Sequence, residues 1–353
     1  MIQPDEQPCP QVVGVDLFCG AGGLTRGLES AGINVRVGWD IDENCRIPYE
    51  RNGRSQFRLA DVAALEVQEV QHVFGDAQVR LIAGCAPCQT FSTYTRGAKS
   101  ASPTDARWTL LDHFARIVQG VRPELITMEN VPRAAEYPAY KRFVETLAGL
   151  DYQIHQEVVN CIELGLPQAR IRRVLVASLL GGVSPLTRSS SRKSVRDAIG
   201  HLPRIEPGIA NQNDSLHRCS ALHQLSLQRL ASTPEGGDWR DWPEELKLAC
   251  HLKDSGKSYR GVYGRMEWDK PAPTLTTHCG GIGNGRFVHP DQNRGISMRE
   301  AAILQGFESN YVFTLGKPRP RIISRLIGNA VPPILGKAVG KALIDSITSN
   351  ARS

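Results

Sequence analysis

Short apolar runs at 12–17, 35–39, 79–83, 125–128, 153–160 and 173–178 alternate with stretches whose apolar residues recur every three to four positions. A strand buried on both faces reads as a continuous apolar run, and a helix covering it shows one apolar stripe. The rhythm therefore predicts parallel strands linked by helices, an α/β fold with a doubly wound, mostly parallel sheet. Helical spacing is clearest over 24–31, 110–121 and 140–150. After residue 178 the texture changes: Gly181-Gly182 and the Ser- and Arg-rich segment 184–194 read as a linker, with a boundary near residue 185. From there to about residue 293 the chain is rich in Pro, Gly, Trp and His, and few elements can be placed. Patterning returns at 297–304 and at 332–347, the latter a closing helix that the turn 327–333 opens with Pro in its first turn. Two domains are expected, 1–185 completed by 320–353, and a smaller irregular one over 186–319.

Composition narrows the class. With 353 residues, 41% hydrophobic and 22% charged, the chain can bury a sizeable core and reads as neither disordered nor membrane-spanning. Residues 1–10 carry acids and prolines where an export signal needs basic and then apolar residues, so a cytoplasmic protein is expected. Nine cysteines without such a signal argue for reduced thiols. Cys85 and Cys88 form a C-x-x-C, which could be a redox pair or half of a zinc site. No second C-x-x-C completes a zinc site, and His217, Cys219 and His223 are a weaker signal still, so no metal is expected. The net charge of +6 is uneven: 188–325 holds 21 Lys and Arg against 14 Asp and Glu, or +7, leaving −1 elsewhere. A polyanion such as nucleic acid is the natural partner, with a basic solvated face as the alternative.

Several strand ends carry chemistry-bearing residues. Asp16-Leu17-Phe18-Cys19-Gly20-Ala21-Gly22-Gly23 follows a strand and opens a helix, so its glycines would let backbone amides approach a ligand. Alone it fits a nucleotide loop or a tight structural turn. The next strand ends in Trp39-Asp40-Ile41-Asp42, an acid where a ribose lies in a doubly wound sheet, and Asp61-Val62 supplies a further acid. Pro87-Cys88-Gln89 ends another apolar run and would present a thiol, while Met128-Glu129-Asn130-Val131-Pro132 does the same for a carboxyl group. A nucleophile and an acid on two such tips could face one substrate.

Six segments in order resemble the DNA (cytosine-5) methyltransferase family: Asp16 to Gly23, Pro87-Cys88-Gln89, Glu129-Asn130-Val131, Gln168-Ala169-Arg170-Ile171-Arg172, the run from Arg299-Glu300 to Gly306-Phe307, and Gly328-Asn329-Ala330-Val331-Pro332. The likeness runs from about residue 12 to the final helix and is weakest between 185 and 258. It implies a Rossmann-like fold of the class I S-adenosylmethionine-dependent kind, with target recognition in the second domain. It assigns Cys88 as the thiol that adds to cytosine C6, Glu129 as the carboxyl on the N3 edge, and Arg170 and Arg172 as holders of the base carbonyl and flanking phosphates. It assigns Phe18, Gly20, Gly22, Asp40, Ile41, Asp61, Val62, Leu110, Asn329 and Val331 to S-adenosylmethionine. Gln89, Ser92, Asn130, Gln168, Thr274 and Thr276 would contact the substrate, with Asn130 orienting the loop, and 280–285 would form a reading loop. Arg299 and Glu300 look structural, a pair organising the junction between domains. Asp40 stands where glutamate is commoner, Ile41 where an aromatic residue is frequent, and Ala86 and Thr90 replace the usual proline and glycine around the thiol.

The resemblance implies transfer of a methyl group to C5 of a cytosine in a specific double-stranded DNA sequence. The base would be rotated out of the stack, the protein would act as a monomer, and a cognate restriction endonuclease would be a genetic partner. Two other readings stand beside it. A tRNA cytosine-5 methyltransferase usually carries a Cys-Phe-Thr signature, which is not found here, and an inactive DNA-binding relative would be free to lose Cys88.

Overall fold

The computed structural model describes residues 11–87, 109–254, 256 and 261–350. Its contacts divide the chain into two compact units, one of Met1–Val159, Ile171–Thr187 and Leu335–Ser353, the other of Asn160–Arg170 and Arg188–Ile334. The change of texture near 185 coincides with one crossing. Residues 160–170 and 320–334, expected with the catalytic domain, group with the second unit.

The first unit follows the alternating pattern. In order come β1 (Val12–Leu17), α1 (Gly23–Ser30), β2 (Asn34–Asp40), α2 (Arg46–Asn52), β3 (Gln56–Leu59), α3 (Val67–Phe74), β4 (Val79–Gly84), α4 (Thr109–Val121), β5 (Leu125–Asn130), α5 (Pro138–Gly149) and β6 (Gln153–Asn160). After β7 (Gln168–Ala169), which belongs to the second unit, β8 (Ile171–Ser178) returns to the sheet. The seven strands lie in the order β3-β2-β1-β4-β5-β8-β6. Pairings from β3 through β5 are parallel, and β8 runs antiparallel to β5. The expected doubly wound, mostly parallel sheet is the observed one. Every residue of β1 and of β5 is buried, which is why both read as largely apolar runs that turn polar only near their ends. Leu17, Ile82, Ile126 and Leu175 from the strands meet Phe114, Phe143 and Leu147 from α4 and α5 in one core, each such side chain contributing about 1.5–3 kcal/mol by leaving water. The closing helix α11 (Pro333–Asn350) lies close against α1: a Cβ at Gly336 would stand 2.7 Å from the Leu24 carbonyl.

The second unit has little regular structure: α6 (Val195–Ile199), α7 (Gln224–Ala231), α8 (Ala249–Leu252), β9 (Ala272–Pro273), α9 (Met298–Leu304) and α10 (Pro320–Asn329), with β7 and β9 forming a two-stranded parallel pair. Ser194 with Asp197 and Ser297 with Glu300 make capping boxes that start α6 and α9. Residues 327–329, expected as a turn, are instead the last turn of α10. No helix among the described residues is long and apolar enough to cross a membrane.

Candidate active site

In an open α/β sheet, a ligand crevice forms beyond the carboxyl ends of the parallel strands where the strand order reverses. Here the reversal falls between β1 and β4. The chain leaves β1 through Phe18 (φ 62), Gly20 (φ 53) and Gly22 (φ 85), three left-handed residues in five that turn it into α1. Gly20 fits because its φ disfavours any side chain, and around it no described atom lies where a Cβ would need room. Its N–H donates to Asp40 Oδ2 at 2.9 Å, and the Asp42 N–H donates to Oδ1 at 2.9 Å, so Asp40 braces the glycine loop against the tip of β2. Phe18 rests on the core, Leu110 is half-buried in the first turn of α4, and Ile41 is 70% exposed. Asp61 is exposed and accepts from the Ala63 N–H at 2.9 Å. Val62 sends its side chain into the core.

Beneath the loop, Asp16 is almost wholly buried. Thr25 donates to its Oδ2 at 2.6 Å and in turn meets the Tyr49 hydroxyl at 3.0 Å, while Oδ1 has no partner among the described residues. Burial pushes the Asp16 carboxyl up to about 7, against the Thr25 hydrogen bond and reinforced by the charge of Asp40.

A second carboxyl sits at the tip of β5. Glu129 is 5% exposed, and Cys85 Sγ donates to its Oε2 at 2.8 Å. Arg172 Nε stands 2.8 Å from Oε1, yet among the described residues Oε1 accepts no hydrogen bond. The proximity makes an ion pair, whereas the alignment does not make a directed bond, so the lone pairs of Oε1 remain open. Register explains the meeting. Glu129 lies opposite Val174 in the antiparallel ladder, and Arg172, two residues before Val174, shares its face. Because β8 runs antiparallel, its beginning reaches the same end of the sheet as the close of β5. Asn130 ties the neighbouring tips together: its Nδ2 donates to the Ala86 carbonyl at 3.3 Å, and its Oδ1 accepts from the Val131 N–H at 2.9 Å. Cys88, Gln89 and Ser92 lie outside the described residues.

The remaining expected site residues belong to the second unit, and the strand-face expectation for Arg170 requires correction. Arg170 does not extend a strand face with Arg172, because β8 begins at Ile171. Its buried guanidinium donates to the carbonyls of Leu275 (3.2 Å), Gly328 (3.0 Å) and Ala330 (3.1 Å), clamping three chain segments together. Gln168 is likewise fully buried: it donates to Leu304 and Gln305 and accepts from the Leu275 N–H. Thr274 is exposed and donates to the Ala169 carbonyl at 2.5 Å; Thr276 is half-buried and accepts from the His278 N–H at 3.3 Å. Asn329 is exposed at the end of α10, and Val331 is buried. Arg299 and Glu300 are structural, but inside the second unit: Arg299 holds Asp214 and the Tyr311 carbonyl, and Glu300 receives both Nη groups of Arg294. Both ring nitrogens of His217 are engaged, by Ser297 and the Pro203 carbonyl.

Residues 12–345 match the model of the family described as C-5 cytosine-specific DNA methylase. The chain belongs to that family. It is 42% identical over 336 residues to the Type II methylase M.HgiDII of Herpetosiphon aurantiacus, covering 93% of this chain and 94% of that one. It is 30% identical to the Type II methyltransferase M1.HphI of Haemophilus parahaemolyticus, over 97% of this methylase and 89% of that protein. The fold is also that of a prophage-encoded E. coli protein crystallised as a candidate DNA modification methyltransferase, with TM-score 0.72, 24% identity, and coverage of 96% and 100%. Within this family setting, sequence reasoning missed the contact of Cys85 with Glu129. The signal was present: Cys85 follows β4 immediately, as Glu129 closes β5, and the two strands are neighbours.

Proposed function

We propose that this chain transfers a methyl group from S-adenosylmethionine to C5 of a cytosine within a specific duplex DNA sequence. The observation that carries the reading is the Glu129 carboxyl, buried at a strand tip between a thiol and a guanidinium with one oxygen accepting no hydrogen bond. A buried acceptor left open is costly unless a ligand completes it.

Cytosine C5 is too poor a nucleophile to be methylated directly. In this reading the Cys88 thiolate adds to C6 of an extruded base, forming a carbon–sulfur bond while electron density moves to C5 and toward N3. Glu129 shares a proton with the N3 edge and so steadies the charge that develops there. Arg172 keeps a positive charge 2.8 Å from that carboxyl and so favours a structured, charge-balanced site over a solvated one. Asn130 holds the Ala86 segment that leads into Cys88. Loss of the C5 proton and elimination then free the thiol.

The residues present fit the cofactor. Gly20 offers bare backbone, Asp40 and Asp61 offer acids at two neighbouring tips, and Ile41 offers an exposed apolar face for a purine. When bound, S-adenosylmethionine supplies an electrophilic sulfonium methyl group. Phe18, Gly22, Leu110, Asn329 and Val331 complete the proposed pocket on the strength of family resemblance. DNA is the proposed partner, read by the second unit through Thr274, Thr276 and residues 280–285, with one chain sufficient and a restriction endonuclease as genetic partner.

Bisulfite sequencing of DNA from a host expressing the chain tests the reading. One sequence context should be methylated, and Cys88→Ser should abolish the signal. Label transferred from the cofactor to tRNA and never to duplex DNA would overturn it.

A further inference from the structure

We infer that Cys85 is a positioning residue for methyl transfer: its thiol fixes Oε2 of Glu129 and thereby leaves Oε1 to the substrate. The inference rests on the proposed role of Glu129 and assigns a new residue to that site. Cys85 lies one residue past the last β4–β5 pair, Gly84 beside Met128, which sets it opposite Glu129, and its N–H is anchored to the Leu17 carbonyl at 3.3 Å. The backbone thus holds the sulfur at a fixed place on the strand tips, 2.8 Å from Oε2.

A glutamate carboxyl turns easily about its last torsion, a broad and roughly two-fold rotor. Arg172 lies nearest Oε1, at 2.8 Å, but makes no directed bond that would fix the carboxyl plane. The thiol can fix it, since of the two Glu129 oxygens it donates to Oε2. The two oxygens are therefore unequal before any substrate arrives: Oε2 is held, and Oε1, in a carboxyl 5% exposed, is open. A thiol is also a weak donor compared with a hydroxyl or amide, so it orients the carboxyl without competing strongly for the charge that the base must meet.

Single-turnover methyl transfer to duplex DNA by the full chain decides the matter. Cys85→Ala should lower the rate about tenfold, the scale of one hydrogen bond. The KM for DNA and the melting temperature should stay near wild type. Cys85→Ser, which restores a donor, should return the rate to within about threefold. Cys85→Val, which keeps volume without a donor, should behave like Cys85→Ala and stands in for it should that variant fold poorly. In a Glu129→Gln background, itself strongly impaired, Cys85→Ala should add no further loss. Wild-type rates in both donorless variants beside an impaired Glu129→Gln would overturn the role of Cys85 and leave the Glu129 reading intact. An equal loss in the Glu129→Gln background would overturn it too, since Cys85 would then act elsewhere. Full activity of Glu129→Gln would overturn both readings together.

Discussion

Arginine does different work in the two units. The first unit satisfies its buried backbone through a seven-stranded sheet and its helices, and its site arginine, Arg172, is left beside a carboxyl. The second unit has few ladders, so its buried carbonyls need side-chain donors. Arg265, 4% exposed, supplies five hydrogen bonds: to the carbonyls of Thr233, Leu230, His289 and Gln292 and to Asn293 Oδ1. Arg170 joins three more carbonyls, and Arg294 holds Glu300 and the Gly295 carbonyl. The lesson bears on charge. Of the 21 basic residues in 188–325, Arg229, Arg265, Arg294 and Arg299 are buried, against Asp238 and Glu300 of the 14 acids. The excess of +7 therefore overstates the field that the second unit shows to a polyanion, and the DNA reading leans on family membership rather than on that count.

Removing the busiest of these clamps should break the contrast most sharply. Arg265→Ala deletes five donors from a dry interior: the Thr233 and His289 carbonyls lose the guanidinium, while those of Leu230 and Gln292 keep the Thr233 and Arg294 N–H groups. It should cost about 3–5 kcal/mol, the scale for truncating one side of a buried charged network. Urea unfolding followed by tryptophan fluorescence should register the loss, because Trp239, Trp242 and Trp268 all belong to the second unit. A loss under 1 kcal/mol would mean that water replaces the guanidinium at little cost and that arginine does not hold this unit together.

The same contrast explains what was legible in the sequence. Strands buried on both faces, such as β1 and β5, have a one-dimensional signature, and the end of β5, where Glu129 and Asn130 stand, was readable with it. Edge strand β3 was missed because only Phe57 of its four residues is buried, so no apolar run marks it. The second unit was opaque for a related reason: its order comes from contacts such as Arg170 with Gly328, 158 residues apart, which leave no local period. Arg170 and Arg172 look alike in sequence, and only the start of β8 between them gives one to the clamp and the other to the carboxyl.

A buried charge without a clamp is the counterpart within the first unit. Asp16 is held near 7 chiefly by burial, well above its value of 3.8 when exposed. The folded state thus binds a proton that the unfolded chain releases between those values. The stability this contributes is fully present below about pH 4 and is lost as pH rises through about 7. Asp16→Asn removes the titration and keeps an acceptor for Thr25. The variant should gain on wild type by on the order of 2–4 kcal/mol between pH 5 and pH 8. Guanidinium unfolding at the two pH values checks this, and parallel stability in both proteins would show that the carboxyl is not buried as described.

The smallest effect sharpens the comparison from the other side, by asking whether arginine matters in the second unit or only buried arginine does. Arg204 pairs with Asp291 at 2.5 Å, a contact shorter than the 2.8 Å of Arg265 Nη1 on His289. Distance alone would rank it first. Yet its side chains are 71% and 53% exposed, so each ion gains in the pair about what it gives up in hydration, and ordering two long side chains opposes what remains. Arg204→Ala should therefore shift unfolding by less than about 1 kcal/mol, and raising the salt should erase even that. A loss approaching that of Arg265→Ala would show that the charge pair, not the carbonyls that a buried guanidinium satisfies, carries the stability of the irregular unit.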